Sequence, residues 1–216
     1  MKIGVFGGSF DPPHIAHLIL AQEACNQLGL ERLLWVLTSN PPHKRGRRMT
    51  PASQRWEMLQ LALKGNPLFM PSRIDIDRPP PQYAVDTLHL LGQAYPGAEL
   101  IYLIGGDSLR DLPTWRNPQG VIAAPAALGV FRRPRVRIDL ERLESRLPGL
   151  TAKIRWVEAP RLDISATRVR RLAGEGMDFR YYVPAAVHAY IIENGLYQQA
   201  PTGPATLSPP SWKNKL

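Results

Sequence analysis

Two histidines three residues apart, His14 and His17, follow a pair of glycines, Gly7 and Gly8, in the run GGSFDPPHIAH at residues 7–17. Imidazole N–H donors beside a phosphate chain stabilise the negative charge that grows during phosphoryl chemistry. Glycines let backbone amides come close to a ligand. A helix begun after Pro12 and Pro13 would turn its unpaired N–H groups and positive dipole end toward the same loop. With His14 in the first helical turn, the two rings share a face and reach one group. The stretch reads as an anion site, with Ser9 and Phe10 inside its loop.

Spacing excludes two better-known glycine loops, because neither GxxxxGK[ST] nor GxGxxG occurs here. The pair is not HExxH, and two histidines make a poor zinc site, so no metal ligand set is assigned. Zinc ligation and a role confined to capping the helix start stay open on these residues alone. A second chemical element is ISATRVR at residues 164–170. Ser165 can cap a helix whose first turn holds Thr167, with Arg170 close behind, so hydroxyls, amides and one guanidinium converge on another positive helix end. Such a fork suits phosphate oxygens.

GGSFDPPHIAH resembles the GxFDPxHxxH signature of nucleotidyltransferases carrying an HxGH-type motif, and ISATRVR resembles their second signature, ISxTxxR. Two such motifs about 150 residues apart are far more specific than either alone. Within that superfamily the chain most resembles the bacterial nicotinate mononucleotide adenylyltransferases, over residues 1 to about 197. The further segments that carry the likeness are PPHK at 41–44, YAVDT at 83–87, GGD at 105–107 and Trp115.

The elements that must position these groups are those of an α/β fold: a Rossmann-like open parallel sheet of five or six strands with helices on both faces. Buried strands are expected at Lys2–Phe6, Leu33–Leu37, Phe69–Asp77, Glu99–Ile104, Ala126–Phe131 and Lys153–Val157. Leu18, Ala21, Ala24, Cys25 and Leu28 give the first helix a buried face. A second helix starts with Thr50 as N-cap and Pro51 at the first helical position. Others are expected from Tyr83 to Ala94, Ser108 to Leu112, Glu141 to Leu147 and, opened by Pro184 and closed by Gly195, Val183 to Tyr197. The chain divides into a nucleotidyltransferase domain, 1–197, and a proline-containing tail, 198–216, expected to be disordered or loosely docked.

The resemblance implies roles for particular residues. Gly7, Gly8, Ser9, Phe10, His17, Gly105, Asp107, Ser165, Thr167 and Arg170 would bind ATP, and His14, His17, Lys44 and Arg170 would act on the phosphates. Lys44, Tyr83, Thr87, Trp115 and Arg133 would bind the acceptor nucleotide. An aromatic face suits an electron-poor pyridine ring, and helix-start amides near Thr87 suit a nicotinate carboxylate. Asp107 lies where acids in such folds meet ribose hydroxyls, with capping of the next helix as the alternative. Trp115 as core, and Arg132 in place of Arg133, likewise stay open. Arg45, Arg47 and Arg48 read as a solvated run.

At 216 residues, 44% of them hydrophobic, the chain is long enough for one well-buried domain. No apolar run approaches the ~20 residues that span a bilayer, and no signal-peptide region opens the sequence, so a cytoplasmic protein without a membrane partner is expected. The single cysteine fits a reducing compartment. A formal charge of +9 suits polyanionic partners, either nucleotides or a nucleic acid. Nothing beyond charge favours nucleic acid, and none is assigned.

The implied reaction joins ATP and nicotinate mononucleotide into nicotinate adenine dinucleotide with release of pyrophosphate, aided by Mg²⁺ carried mainly by ATP. Pantetheine-phosphate adenylyltransferases and cytidylyltransferases share the two signatures and are the alternatives within the superfamily. A basic nucleic-acid-binding protein is the alternative outside it. A homo-oligomer is compatible with the sequence.

Overall fold

In the computed structural model, which describes residues 1–39, 49–132 and 137–198, short apolar runs form six strands: β1 (Lys2–Gly8), β2 (Arg32–Leu37), β3 (Phe69–Ser72), β4 (Glu99–Gly105), β5 (Ala127–Phe131) and β6 (Ile154–Val157). They pair in the order β3-β2-β1-β4-β5-β6, every pair parallel. Around them lie α1 (Ile15–Leu28), α2 (Ala52–Leu63), α3 (Ala84–Ala94), α4 (Gly106–Asp111), α5 (Pro118–Ala123), α6 (Leu140–Arg146), α7 (Leu150–Lys153), α8 (Ala166–Gly174) and α9 (Ala185–Glu193), with a 3₁₀ turn at Leu112–Thr114.

Both sheet faces are buried, as the continuous apolar strands require. Ile3, Val5, Leu34, Val36, Leu100, Leu128 and Val130 face a core completed by Leu88 and Leu91 of α3, Val121 of α5 and Leu143 of α6. On the other face Phe6, Leu33, Trp35, Leu37, Ile101 and Leu103 meet Ala21, Ala24 and Cys25 of α1 and Leu59 of α2. A third cluster joins α2, through Met58 and Ala62, to Val169 and Leu172 of α8 and Val187 and Ile191 of α9. Burial pushes the Cys25 thiol up to about 11.

The strand order turns back on itself between β1 and β4, and in open α/β sheets ligands bind outside the strand ends at such a switch point. Gly7 and Gly8 end β1 there, and Gly105 ends β4. Several boundaries differ from the sequence expectation. β3 stops at Ser72 rather than Asp77. It is an edge strand holding Pro71, which cannot donate to a ladder, and the chain then turns to bury Asp75. Pro51 is itself the N-cap of α2, so Thr50 precedes the helix. α4 begins at Gly106, capped by Gly105 rather than by Asp107. α9 ends at Glu193, with Gly195 in the left-handed region at φ 58°, so Tyr197 lies beyond the helix. The short helices α5 and α7 were not expected.

Candidate active site

The loop after β1 is held in one shape from beneath. Phe10 adopts a left-handed backbone, φ 43°, and its buried ring lies 2.9 Å from where a Cβ on Gly8 would stand. A side chain at residue 8 would therefore displace a packed ring. Gly7 is different: its nearest neighbour would be the Tyr102 hydroxyl at 3.8 Å, an ordinary contact, so the fold itself does not demand glycine there. A close-lying ligand would.

His14 is the N-cap of α1, one residue outside the helix, and His17 is its third residue. This corrects the placement of His14 in the first turn, and the reciprocal contacts of His14 and His17 cap the helix start. The rings stack at 3.6 Å between centroids, 16° from parallel, and the His14 backbone N–H donates to His17 Nδ1 at 3.2 Å. His14 is buried, whereas His17 is half-buried and stands edge-on to Phe10 and Phe6.

Ser165 caps α8 as its sequence requires, its Oγ accepting from Arg168 N at 3.2 Å. From the first turns of α8, Arg170 donates to the Asp11 carbonyl at 2.6 Å and to Thr167 Oγ1 at 3.3 Å. The second signature is thereby tied to the first. The link joins α8 to the loop that precedes α1.

Sequence reasoning missed the residue that braces these loops. Arg55 of α2 is buried, and its guanidinium donates to the carbonyls of Ser9 (2.8 Å), Thr38 (3.0 Å), Ser39 (2.7 Å) and Thr50 (2.8 Å). Burial lowers its pKa, and the nearby Asp11 carboxylate offsets part of that. Arg55 thus ties the loops after β1 and β2 to the start of α2.

A second network lies under the start of α3. The buried Asp75 carboxylate accepts from Thr87 Oγ1 (2.6 Å), Thr38 Oγ1 (3.0 Å) and Arg78 (2.9 Å). Thr87 is itself buried, and its hydroxyl also accepts from Arg78 Nη2 at 2.7 Å. Its side chain is engaged within the protein, where it braces the start of α3. Neither Asp75 nor Arg78 was foreseen, and a buried acid beside YAVDT carries no local signal.

Tyr83 is the N-cap residue of α3, and the Arg116 guanidinium lies 5.3 Å from its ring centre. Trp115 follows the 3₁₀ turn, half-buried, edge-on to Tyr102 at 6.5 Å. The Tyr102 hydroxyl, its pKa raised by burial and by the Asp75 charge, lies between this aromatic wall and Gly7. Asp107 sits in the first turn of α4, after Gly105.

Lys44 and Arg133 lie outside the described residues, as do His43, Arg45, Arg47 and Arg48 and the tail from residue 199. Arg132 is described and turns toward β6, with its Nε 2.6 Å from Glu158 Oε1 and its guanidinium 4.3 Å from the Trp156 ring centre. Among the described residues no group of three or more His, Cys, Asp or Glu could hold a metal ion. No helix among them is long and apolar enough to cross a membrane.

A family model described as cytidylyltransferase-like matches residues 5–172, from β1 through α8. Relatives named as probable nicotinate-nucleotide adenylyltransferases match nearly end to end. That of Thermomicrobium roseum is 45% identical, covering 96% of this chain and 97% of its own, and one from Thermus thermophilus is 40% identical over 92% and 100%. The chain belongs to the nicotinate-nucleotide adenylyltransferase family. Within the broader cytidylyltransferase-like group it is a nucleotidyltransferase. The fold agrees: the Plasmodium falciparum nicotinic acid mononucleotide adenylyltransferase, solved in complex with NaAD, superposes with a TM-score of 0.74 at 20% identity, over 91% of this chain and 97% of that one.

Proposed function

We propose that this enzyme transfers the adenylyl group of ATP to nicotinate mononucleotide, giving nicotinate adenine dinucleotide and pyrophosphate in NAD biosynthesis. The observation that carries the reading is the hydrogen bond from Arg170 to the Asp11 carbonyl, which ties the second nucleotidyltransferase signature to the first.

An oxygen of the acceptor's 5′-phosphate attacks the α-phosphorus in line. The new P–O bond forms as the bond to the β-phosphate oxygen breaks, and pyrophosphate departs with that electron pair. A phosphomonoester has its second pKa near ~6, so the nucleophile is already ionised and needs no protein base. Catalysis comes from positioning and from charge neutralisation. His17 donates from Nε2 to phosphate oxygens with His14 beside it. Arg170 and Thr167 hold the leaving pyrophosphate, with Lys44 as a further cation. The loop of Gly7, Gly8, Ser9 and Phe10 lies along the nucleotide phosphates, and the α8 start at Ser165 adds its amides.

Gly105 and Asp107 take the ribose of ATP. Trp115 stacks on the pyridine ring, with Tyr83, Arg133 and the α3 start that Thr87 braces around the rest of the acceptor. Mg²⁺ carried by ATP would supply neutralisation of phosphate charge when bound, held mainly by nucleotide oxygens and water. The reaction takes place in the cytoplasm.

The deciding experiment is Mg²⁺-dependent pyrophosphate release from ATP with nicotinate mononucleotide, nicotinamide mononucleotide or phosphopantetheine as acceptor. Strong preference for the first is expected. Activity with phosphopantetheine alone would overturn the acceptor assignment while keeping the phosphate chemistry.

A further inference from the structure

The phosphate site is built mostly from the first seventeen residues and from α8, yet one contact reaches it from the far end of the fold. The Tyr197 hydroxyl donates to Asp11 Oδ1 at 2.8 Å, and Asp11 Oδ2 accepts the Thr50 backbone N–H at 3.3 Å. Asp11 is 4% exposed, so this carboxylate is met by protein donors on both oxygens. The carbonyl of the same residue is the one that holds Arg170. Asp11 is therefore a node: its side chain faces Tyr197 and Thr50, and its main chain faces the second signature.

Backbone geometry supports a fixed role. Tyr197 has φ 66°, and Phe10, next to Asp11, has φ 43°. Left-handed backbone is uncommon for residues with side chains and persists only where the surroundings impose it. Here one left-handed residue, Tyr197, donates the hydrogen bond, and the other, Phe10, directly precedes the residue that accepts it. The Tyr197 ring packs beside the cluster of α2, α8 and α9, and its hydroxyl also lies 3.9 Å from Met58 Sδ. Burial, and then the Asp11 charge, hold that phenol well above its ordinary pKa, which keeps it a donor.

We infer that Tyr197 is a positioning residue of the phosphate grip: by fixing the Asp11 carboxylate it orients the carbonyl that holds Arg170, so the segment after α9 sets the geometry of the signature loop. The inference rests on the adenylyl-transfer reading for its kinetic consequence alone. A purely structural tyrosine would anchor α9 through its ring, whereas this one acts through its oxygen.

Tyr197→Phe separates the two, because it keeps the ring. At saturating ATP and acceptor the substitution is expected to lower turnover about tenfold, with the KM for the acceptor changed less than twofold. Arg170 and Tyr197 are linked through Asp11, so the two should couple. In an Arg170→Lys background the same change is expected to cost less than twofold. Amide exchange over residues 9–17 should also speed up severalfold, while exchange in α9 stays put. Turnover within twofold of the parent, or the same loss in both backgrounds, would overturn the inference. So would exchange rising throughout α9. If the parent itself makes no dinucleotide, the functional reading fails instead, and the exchange comparison still decides the role of Tyr197.

Discussion

His17 Nδ1 accepts the backbone N–H of His14 at 3.2 Å, which leaves Nε2 as the nitrogen that carries the proton of the neutral ring. The helix start thus selects the tautomer that the proposed donation from Nε2 to phosphate requires. His17→Ala is expected to lower turnover about 10²- to 10³-fold, the scale for losing one charge-stabilising donor, with little change in acceptor KM. Steady-state kinetics on protein with a native circular dichroism spectrum checks this. Near-normal turnover would remove His17 from the chemistry.

Gly7 and Gly8 should fail in different ways. Gly8→Ala places a methyl 2.9 Å from the Phe10 ring, which is packed against His17, and is expected to cost roughly 1–3 kcal/mol of stability along with activity. Gly7→Ala meets nothing closer than 3.8 Å and should leave the unfolding midpoint alone while raising the KM for ATP. Thermal melts paired with ATP titrations distinguish the two.

Arg55→Ala would strand four carbonyls in the interior. A loss of roughly 3–5 kcal/mol is expected in urea unfolding, as for other buried charged groups whose partners are removed. Arg55→Lys should recover only part of it, because one ammonium cannot reproduce a planar fork of five donors. Equal stability of the Lys variant and the parent would contradict the bracing role.

Trp115→Ala is expected to raise the KM for nicotinate mononucleotide about tenfold while leaving that for ATP within twofold, from the loss of stacking worth ~0.5–1.5 kcal/mol. Trp115→Phe should retain most of the affinity. An unchanged acceptor KM in the Ala variant would return Trp115 to a packing role beside Tyr102.

Stability should fall in strongly alkaline solution through Cys25. Its folded pKa, about 11, lies above the ordinary 9.0, so the neutral thiol is favoured in the folded state. That contribution is complete below pH 9 and is lost as pH climbs to about 11, by something on the order of 2 kcal/mol. Cys25→Ala should flatten this part of the pH profile, and the parent thiol should react with aromatic disulfide reagents at pH 8 only after unfolding.

The sheet was legible because its strands are continuous apolar runs; five or six were expected and six are found among the described residues. The two signatures and their capping chemistry were legible because each is local. α5 was missed although Asn117 followed by Pro118 is an N-cap signal, its side chain accepting from Gly120 N at 3.1 Å; at six residues it shows too little periodicity to notice. Arg55, Asp75 and Tyr197 were missed for a different reason. Arg55 and Tyr197 have partners across the fold, 46 residues from Arg55 to Ser9 and 186 from Tyr197 to Asp11, and although Asp75 bonds the nearby Arg78 and Thr87, nothing in a short window marks a buried charge as a brace. Thr87 shows the converse. Its motif drew attention to the start of α3 as a ligand contact, whereas the inward turn of its hydroxyl onto Asp75 carries no sequence signal.

Among the described residues, the hydrogen bonds of Arg55 go to main-chain oxygens, those of Ser9, Thr38, Ser39 and Thr50. Any residue offers a carbonyl. Arg55 therefore sets the path of these loops without reading which side chains they carry, while the Thr38 side chain is held separately by Asp75.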